Sequence, residues 1–345
     1  MNDRIARLRE TLEEPLLVSD PINVRYLSGV VSSNAALLVE PERLRLFTDF
    51  RYAEGARSLD GFEVVETKRD LFQSLAEALS GRIGFEATSV TYERHARLYA
   101  GGVEAIPRYG VVEALRVEKD DGELDAIRRA AEITDDAFER LAGERFIGRQ
   151  EADLAWRMQE LMHESGADAV SFTPVVASGP NAARPHHEPG EREVQPGDTV
   201  IVDAGCMVEG YCSDCTRTFA AGSLSDELKR AYETCLAAQM SGVAAVRPGA
   251  SGPGVDAAAR DKIDAAGFGE YFGHGLGHGV GLAVHEAPRL ATESTDTLEE
   301  RNVVTVEPGI YLPGVGGIRI EDLVVVRDGD ADVLSRVRKD LVTVD

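Results

Sequence analysis

The sequence predicts a two-domain protein, with an α/β domain over residues 1–118 and an α+β domain over residues 119–345. A chain of 345 residues is too long for one ordinary hydrophobic core and long enough for two. Strand and helix patterns alternate in the first third of the chain, whereas they are segregated in the remainder. These two arrangements are typical of α/β and α+β domains.

The elements of the first domain follow from its apolar pattern. Short apolar runs typical of strands cover residues 16–19, 35–40, 44–48, 64–66 and 81–85. Helical patterns lie near residues 3–13, 50–58, 70–80 and 92–100. This alternation predicts a mainly mixed sheet in a layer that ends near Glu118.

The second domain begins with a long charged helix, predicted over residues 119–143, whose apolar residues Leu124, Ile127, Ala130, Ile133 and Phe138 recur at near-helical spacing. Further helices are predicted over 150–165, 225–245 and 253–266. Strand-like segments cover 170–177, 198–205, 211–220, 302–307 and 317–326.

Composition and charge limit the classes of function. With 43% hydrophobic and 28% charged residues, the chain resembles a soluble globular protein. No apolar run approaches the roughly 18–20 residues that span a bilayer, and the charged N-terminus lacks the apolar stretch of a secretory signal, so we expect a cytoplasmic location and no membrane partner. A net charge of −23 without a basic cluster argues against nucleic acid as a partner.

Four carboxylates lie inside strand patterns. Asp203 and Asp214 belong to two strand-like segments that Gly205–Gly210 can join as a hairpin, and Glu307 and Glu321 lie in two later strand-like segments. An acidic residue inside an apolar strand is disfavoured by strand geometry and by the desolvation of its charge. A bound cation is the usual partner that makes such carboxylates tolerable.

A glycine-rich stretch between these pairs supplies imidazoles at His274, His278 and His285. Its glycines allow backbone turns that bring the imidazoles together. Four carboxylates with one or two imidazoles suit Mn²⁺, or Co²⁺ and Mg²⁺, better than the sulfur-rich or three-histidine sets typical of zinc, which stays an alternative. Four negative charges exceed what one divalent ion needs, so two ions roughly 3.5–4 Å apart are predicted, and metal-assisted hydrolysis is the predicted reaction class.

At these positions the sequence resembles the pita-bread metallopeptidase family (M24) of methionine aminopeptidases, aminopeptidase P and prolidase. The matching segments are FTPVVASGPNAARPH at 172–186, VDAG at 202–205, SDCTR at 213–217, HGVGLAVHE at 278–286, VEPGIY at 306–311 and IRIED at 318–322. The ordered set spans nearly the whole second domain. The resemblance implies a catalytic domain with a curved antiparallel sheet that holds the metals.

The resemblance also implies a role for each site residue. Asp203 would bind one ion, Asp214 and Glu321 would bridge the pair, and His278 with Glu307 would complete the other ion. Glu307 would also accept the proton of the attacking water. His186 and His285 would stabilise the tetrahedral intermediate and the leaving group, His274 would line the site, and Tyr311 and Arg319 would orient the ligands or the substrate.

The first domain separates branches of this family. Segments 20–29, 33–35 and 48–52 resemble the N-terminal domain of the proline-specific members and of creatinase. Creatinase lacks the metal ligands, and all five are present here. The resemblance therefore implies hydrolysis of the Xaa-Pro bond, by a dipeptidase or by an aminopeptidase that acts on longer peptides. The compact chain favours the dipeptidase, and the resemblance suggests a homodimer.

Other interpretations stay open at this point. A binding protein on a peptidase scaffold would have lost ligands, and a creatinase-like amidinohydrolase would need no metal. His187 competes with His186 for the catalytic position, and His274 fits a packing role about as well. Arg319 and Glu321 are two positions apart and share one strand face, so an alternative role for Arg319 is only to neutralise the Glu321 carboxylate. The cysteines, all between positions 206 and 235, suggest no disulfide framework, and Cys212 and Cys215 point to opposite strand faces as packing residues.

Overall fold

The computed structural model describes residues 2–345 and contains two compact units, of which the first ends at Arg116 and the second begins at Val117. Within these residues the first unit is built on a mixed sheet of six strands with the order β4-β3-β2-β1-β5-β6. The strands are β1 (Leu16–Val18), β2 (Ala35–Val39), β3 (Leu44–Asp49), β4 (Glu63–Thr67), β5 (Gly81–Glu86) and β6 (Val103–Arg108). The helices are α1 (Asn2–Glu10), α2 (Pro21–Ser28), α3 (Phe50–Ala56), α4 (Leu71–Ala78), α5 (Tyr92–Ala100) and α6 (Val111–Val117).

Local sequence explains where these elements begin and how they pair. Asp20 caps α2 directly before Pro21, and the Thr91 hydroxyl accepts a hydrogen bond from a backbone N–H in the first turn of α5. Strand β1 pairs antiparallel with β2 and parallel with β5, as the predicted mixed sheet requires.

The second unit contains four long helices among the described residues, α7 (Asp121–Ala142), α8 (Glu151–Glu164), α9 (Asp226–Ala245) and α10 (Gly252–Ala265). The strands that carry the site are β8 (Val175–Ser178), β9 (Thr199–Ala204), β12 (Cys215–Ala221), β13 (Gly277–Gly279), β15 (Val303–Val306), β16 (Gly309–Leu312), β17 (Gly316–Arg319) and β18 (Asp322–Val325). The remaining strands are β7 (Ala169–Val170), β10 (Cys206–Val208), β11 (Tyr211–Cys212), β14 (Glu286–Leu290), β19 (Asp332–Val333) and β20 (Thr343–Val344). Nearly all their pairings are antiparallel; β12 and β20 run parallel.

This unit has two halves, and in each of them two helices pack on a sheet around an apolar cluster. In one, α7 and α8 pack on the sheet β20-β12-β9-β8, with Phe138, Met158 and Val202 in the core. In the other, α9 and α10 pack against the sheet β14-β13-β15-β18-β19, with Ile263 and Val304 in the core.

Strand alternation decides which side chains of β9 leave the core. Val200 and Val202 pack toward α7 and α8, whereas Ile201 lies in a separate cluster with Tyr311. Because successive side chains of a strand point to opposite faces, Asp203 shares the face of Ile201. The sequence therefore turns this carboxylate away from the helices.

The structure differs from the predicted strands in one systematic way. The segments predicted as single strands over 170–177, 211–220 and 317–326 are each divided, into β7 and β8, β11 and β12, and β17 and β18. At the break between β17 and β18 the backbone leaves its own ladder, because the Glu321 N–H donates to the Thr216 carbonyl at 3.1 Å. The break between β11 and β12 keeps the register of its hairpin, since the Ser213 N–H donates to the Cys206 carbonyl in line with the pairs on either side.

The sequence patterns also missed α2, β6 and α6. Strand β6 is an edge strand that contains Pro107, and proline lowers the strand signal although an edge position tolerates it. Both α2 and α6 are short. In the part of the chain that the structure describes, no helix has the length and apolar character needed to cross a membrane.

Candidate metal centre and active site

The four carboxylates reach one cavity from different kinds of position. Asp203 lies within β9, whereas Asp214 lies in the break between β11 and β12. Glu307 directly follows β15, and Glu321 occupies the break between β17 and β18. The sequence predicted all four carboxylates inside strands. In the structure only Asp203 is, and the other three stand where a strand ends or is interrupted.

His278 lies in the middle of β13, held by close backbone contact on both sides. A Cβ on Gly277 would lie 2.1 Å from the Thr305 carbonyl oxygen, and one on Gly279 would lie 2.1 Å from the Ala287 carbonyl oxygen. Only glycine fits at either position, because real Cβ atoms do not approach so closely. The glycines that flank His278 thus fix its backbone between two neighbouring segments.

Three of the predicted ligands form a compact group. One ligand atom each from Asp214, His278 and Glu321 lies within 4.8 Å of the others. His278 Nε2 is 3.7 Å from Asp214 Oδ2 and 3.2 Å from Glu307 Oε1. The Thr305 hydroxyl connects two members, since it accepts from the His278 backbone N–H and donates to Glu307 Oε1 at 3.0 Å.

Asp203 is paired with Arg319 on its other side. The Arg319 guanidinium donates to Asp203 Oδ2 at 2.5 Å, to the Thr216 hydroxyl at 3.1 Å and to the Tyr311 hydroxyl at 3.2 Å. Thr216 in turn donates to Glu321 Oε2 at 2.8 Å. Arg319 therefore neutralises Asp203 directly, rather than the neighbouring Glu321 that its strand position suggested, and it reaches Glu321 only through Thr216.

The electrostatics of the group are those of charges too close together. Burial and repulsion from neighbouring carboxylates raise the pKa of Asp214 and of Glu321 well above their ordinary values. Burial likewise raises the pKa of Asp203, although Arg319 opposes the shift. Burial would raise the pKa of Glu307 as well, but His278 outweighs it and lowers that pKa to about 2. The same contact with Glu307 raises the pKa of His278 against the effect of its burial.

These observations fit a divalent cation. Among the described residues, Asp203 Oδ1 is buried and has no hydrogen-bond partner, and such an atom needs a compensating charge. The raised pKa values of Asp214 and Glu321 also indicate that a compensating positive charge is needed, because a cation between them would stabilise their ionised forms. Carboxylate oxygens with one imidazole nitrogen are a normal ligand set for Mn²⁺, Co²⁺ or Zn²⁺.

His285 and His274 line the same cavity as these ligands. His285 packs edge-on against His278, with ring centroids 4.3 Å apart. Burial and the neighbouring His278 lower the pKa of His285, and burial lowers the pKa of His274, so both favour the neutral form at neutral pH. His274 Nε2 lies 2.9 Å from the Tyr311 hydroxyl, and burial raises the pKa of Tyr311 to about 12.

The structure separates the two adjacent histidines His186 and His187. His186 is exposed and lines the cavity of the metal ligands. His187 turns the other way and donates through Nε2 to Glu151 Oε2 at 2.7 Å. Of the two, only His186 lines the cavity.

All ten predicted site residues line a single cavity of about 600 Å³. They are His186, Asp203, Asp214, His274, His278, His285, Glu307, Tyr311, Arg319 and Glu321. Phe172, Val175 and Ala291 add an apolar part to its wall.

Sequence reasoning missed the residues that hold the ligands in place. Thr216 follows Asp214 by two positions, so strand alternation was a usable signal for it. Thr305 precedes Glu307 by two positions in the same way. No sequence signal pointed to Glu151, or to the buried Lys119, whose ammonium donates to Glu286 at 2.7 Å beside His285.

A strand-rich unit with carboxylates gathered at its strand breaks, around one cavity with neutral imidazoles, defines a metal-dependent hydrolase.

The chain belongs to metallopeptidase family M24, which matches residues 125–328, and the Creatinase/Prolidase N-terminal domain matches residues 4–117. It is 32% identical to an Xaa-Pro dipeptidase of Pyrococcus furiosus over 350 residues, covering 99% of this chain and all of the relative. The structure resembles an Xaa-Pro dipeptidase from Bacillus anthracis with a TM-score of 0.96 at 37% identity, covering 99% of each chain. It also resembles an X-Pro aminopeptidase from Thermotoga maritima with a TM-score of 0.89 at 33% identity, covering 98% of this chain and all of that one.

These comparisons confirm the predicted family and fold class. The protein is a metallopeptidase with a creatinase-type N-terminal domain. The similarity to Xaa-Pro dipeptidases and prolidases favours a peptidase over the metal-free creatinase and the binding-protein interpretations.

Proposed function

We propose that the enzyme hydrolyses the peptide bond before proline, most readily in Xaa-Pro dipeptides, with two divalent ions held by Asp203, Asp214, His278, Glu307 and Glu321. The observation that carries the proposal is the group of Asp214, His278 and Glu321, whose ligand atoms lie within 4.8 Å of one another. Asp203 and Glu307 flank this group and complete the set. Mn²⁺ is the proposed metal, with Co²⁺ or Zn²⁺ as alternatives.

Bound divalent ions would supply Lewis acidity and an activated water, as in other two-metal hydrolases. The chain's own residues would do the rest. Contact with His278 lowers the pKa of Glu307 to about 2, so its carboxylate is ionised at neutral pH and available to bind a cation. Its role as proton acceptor for the attacking water is taken from the family resemblance. The neutral His285 and the exposed His186 would donate hydrogen bonds to the oxyanion and the leaving group.

The substrate would meet an apolar wall beside the charged group. The apolar part of the cavity wall is formed by Phe172, Val175 and Ala291. Burial of a proline ring against this wall would be favourable, because it removes apolar surface from water. Tyr311, held by His274 and Arg319, would mark the polar side of the same space. The predicted homodimer and cytoplasmic location remain part of the proposal.

Three peptides test the proposal in the presence of Mn²⁺. Cleavage of Ala-Pro but neither Ala-Pro-Ala nor Ala-Ala is the expected result for a dipeptidase. Equal or better cleavage of Ala-Pro-Ala would make the enzyme an aminopeptidase, the alternative that the similarity to the Thermotoga maritima protein favours. Cleavage of Ala-Ala at the same rate as Ala-Pro would refute the proline specificity.

A chelator tests the metal requirement independently. Activity on Ala-Pro should disappear after treatment with a chelator and return when Mn²⁺ or Co²⁺ is added. Peptidase activity that survives the removal of metal, checked by metal analysis of the protein, would refute the proposed centre.

A further inference from the structure

A buried carboxylate on α8 gathers the ends of the loop that carries His186. Glu151 is fully buried and lies in the first turn of the helix. Its Oε1 accepts from the Ser178 backbone N–H at 2.8 Å, from the Ser178 hydroxyl at 2.7 Å and from the Asn181 amide at 3.1 Å. Its Oε2 accepts from His187 at 2.7 Å. We call Glu151 with Ser178, Asn181 and His187 the Glu151 clamp.

The clamp is charged and strongly held. Although burial raises the pKa of Glu151, the hydrogen bonds from Ser178 and His187 outweigh it and lower the pKa overall, so the carboxylate is ionised. Hydrogen bonds to a buried carboxylate are shorter and stronger than neutral ones. The helix start adds backbone contacts, because the Glu151 N–H donates to the Arg192 carbonyl and the Ala152 N–H to the Gly190 carbonyl, both at 3.0 Å.

His186 itself has no such support. Its side chain is exposed and makes no hydrogen bond to any residue between positions 2 and 345. The residues on either side are anchored instead: the Pro185 carbonyl accepts from Arg319 at 3.3 Å, and His187 bonds to Glu151. The direction of the His186 imidazole in the cavity therefore depends on the backbone between these two anchors.

We propose that Glu151 and His187 are positioning residues that set His186 for catalysis, an inference that rests on the proposed role of His186 in peptide hydrolysis. Glu151 does not line the cavity of the metal ligands, so it acts through the loop and not on the substrate. Catalytic groups lose effect steeply when they are misplaced by about 1 Å, whereas the metal ligands lie on other segments and would keep their positions.

The first experiment measures kcat and KM on Ala-Pro with Mn²⁺ for His187→Ala and His187→Gln. The control is His163→Ala, at an exposed histidine of α8, the helix that carries Glu151. We expect a loss of about 10-fold or more in kcat for His187→Ala, with KM and metal content unchanged.

His187→Gln, whose amide can donate to Glu151, should recover most of the loss, and His163→Ala should behave as the wild type. A wild-type kcat for His187→Ala would overturn the proposal.

A double-mutant cycle separates positioning from a general loss of stability. His186→Ala should lower kcat by roughly 100-fold, the scale of a lost oxyanion donor, and His187→Ala should then have little further effect in the His186→Ala background. If the two losses multiply, His187 acts independently of His186 and the clamp proposal is wrong. If His186→Ala alone retains full activity, the proposed role of His186 fails instead, and the two failures are thus distinguishable.

A second variant of the clamp covers the case in which His187→Ala does not fold. Ser178→Ala removes one hydroxyl donor to Glu151 and leaves the backbone donor of the same residue in place. It should lower kcat in the wild type and not in the His186→Ala background. An equal loss in both backgrounds would again contradict positioning through His186.

Discussion

Replacing Asp214 with asparagine should affect the enzyme in opposite directions with and without metal. In the absence of metal, burial and the charges of Glu321 and Asp203 raise the pKa of Asp214 well above its ordinary value. An acid with a raised pKa destabilises the folded protein as the pH rises above the pKa of the unfolded chain. The Asp214→Asn variant removes this cost, so the chelated variant should unfold at a higher temperature than the chelated wild type at pH 7. The difference should vanish near pH 4.

With metal the same substitution removes a ligand charge. Two unit charges about 4 Å apart attract by roughly 4 kcal/mol at an effective dielectric constant of about 20, and the double charge of Mn²⁺ makes this a lower bound. The affinity should therefore fall by at least roughly 1,000-fold. Glu321, the other carboxylate of the compact group, remains and keeps some binding. We therefore expect a much higher Kd for Mn²⁺ and a large loss of activity on Ala-Pro.

Calorimetric titration with Mn²⁺ and thermal unfolding with and without chelator test both halves of this prediction. Asp226→Asn is the matched control, because Asp226 is fully exposed at the start of α9 and should leave both measurements unchanged. The reasoning is refuted if Asp214→Asn binds Mn²⁺ as tightly as the wild type does, or if the chelated variant is the less stable protein at pH 7.

Three further substitutions test other contacts. Thr216→Val removes the hydroxyl that bonds to Glu321, and we expect kcat/KM on Ala-Pro to fall by roughly 10–100-fold, as for other residues that orient metal ligands. Lys119→Met leaves Glu286 without its buried ammonium partner, so the free energy of unfolding in urea should fall by about 3 kcal/mol, and adding Glu286→Gln should recover part of it. Burial raises the pKa of Glu86 to about 7, so its stabilising effect is complete below about pH 4.5 and is lost as the pH rises through 7. The unfolding free energy of the wild type relative to Glu86→Gln should fall by about 3 kcal/mol over that interval.

Each of these has a result that would count against it. Thr234→Val, at a partly buried threonine of α9 that does not line the cavity, should keep wild-type kcat/KM, and an equal loss there would show a general effect. A double variant no more stable than Lys119→Met alone would mean that the ion pair is not what the substitution breaks. A difference between wild type and Glu86→Gln that does not change between pH 4.5 and 7 would show that Glu86 titrates alike in the folded and unfolded states.

The parts of the fold that local pattern determines could be read from the sequence. Helices α7, α8 and α9 lie close to their predicted positions because their apolar residues recur at helical spacing over several turns. The placement of Asp203 follows from strand alternation alone. The family resemblance supplied the ligand set, since no single carboxylate would have identified a site.

What the sequence did not predict depends on contacts between distant segments. The pairing of Arg319 with Asp203 joins residues 116 positions apart, and no periodicity contains that information. At the break beside Glu321 a backbone N–H bonds to the distant Thr216 carbonyl, and no breaking residue in the local sequence indicates it. The different directions of His186 and His187 depend on Glu151, which lies 36 positions before His187 and bonds to it.

The hydrogen bond from Thr216 to Glu321 spans 105 positions, and this separation has a consequence for biosynthesis. Contacts of such long range form only after the intervening polypeptide has been made and has folded back. A ribosome-bound chain that has not yet emerged past Glu321 would lack one member of the proposed ligand set. On that proposal, a nascent or truncated chain without this segment is expected to have no peptidase activity.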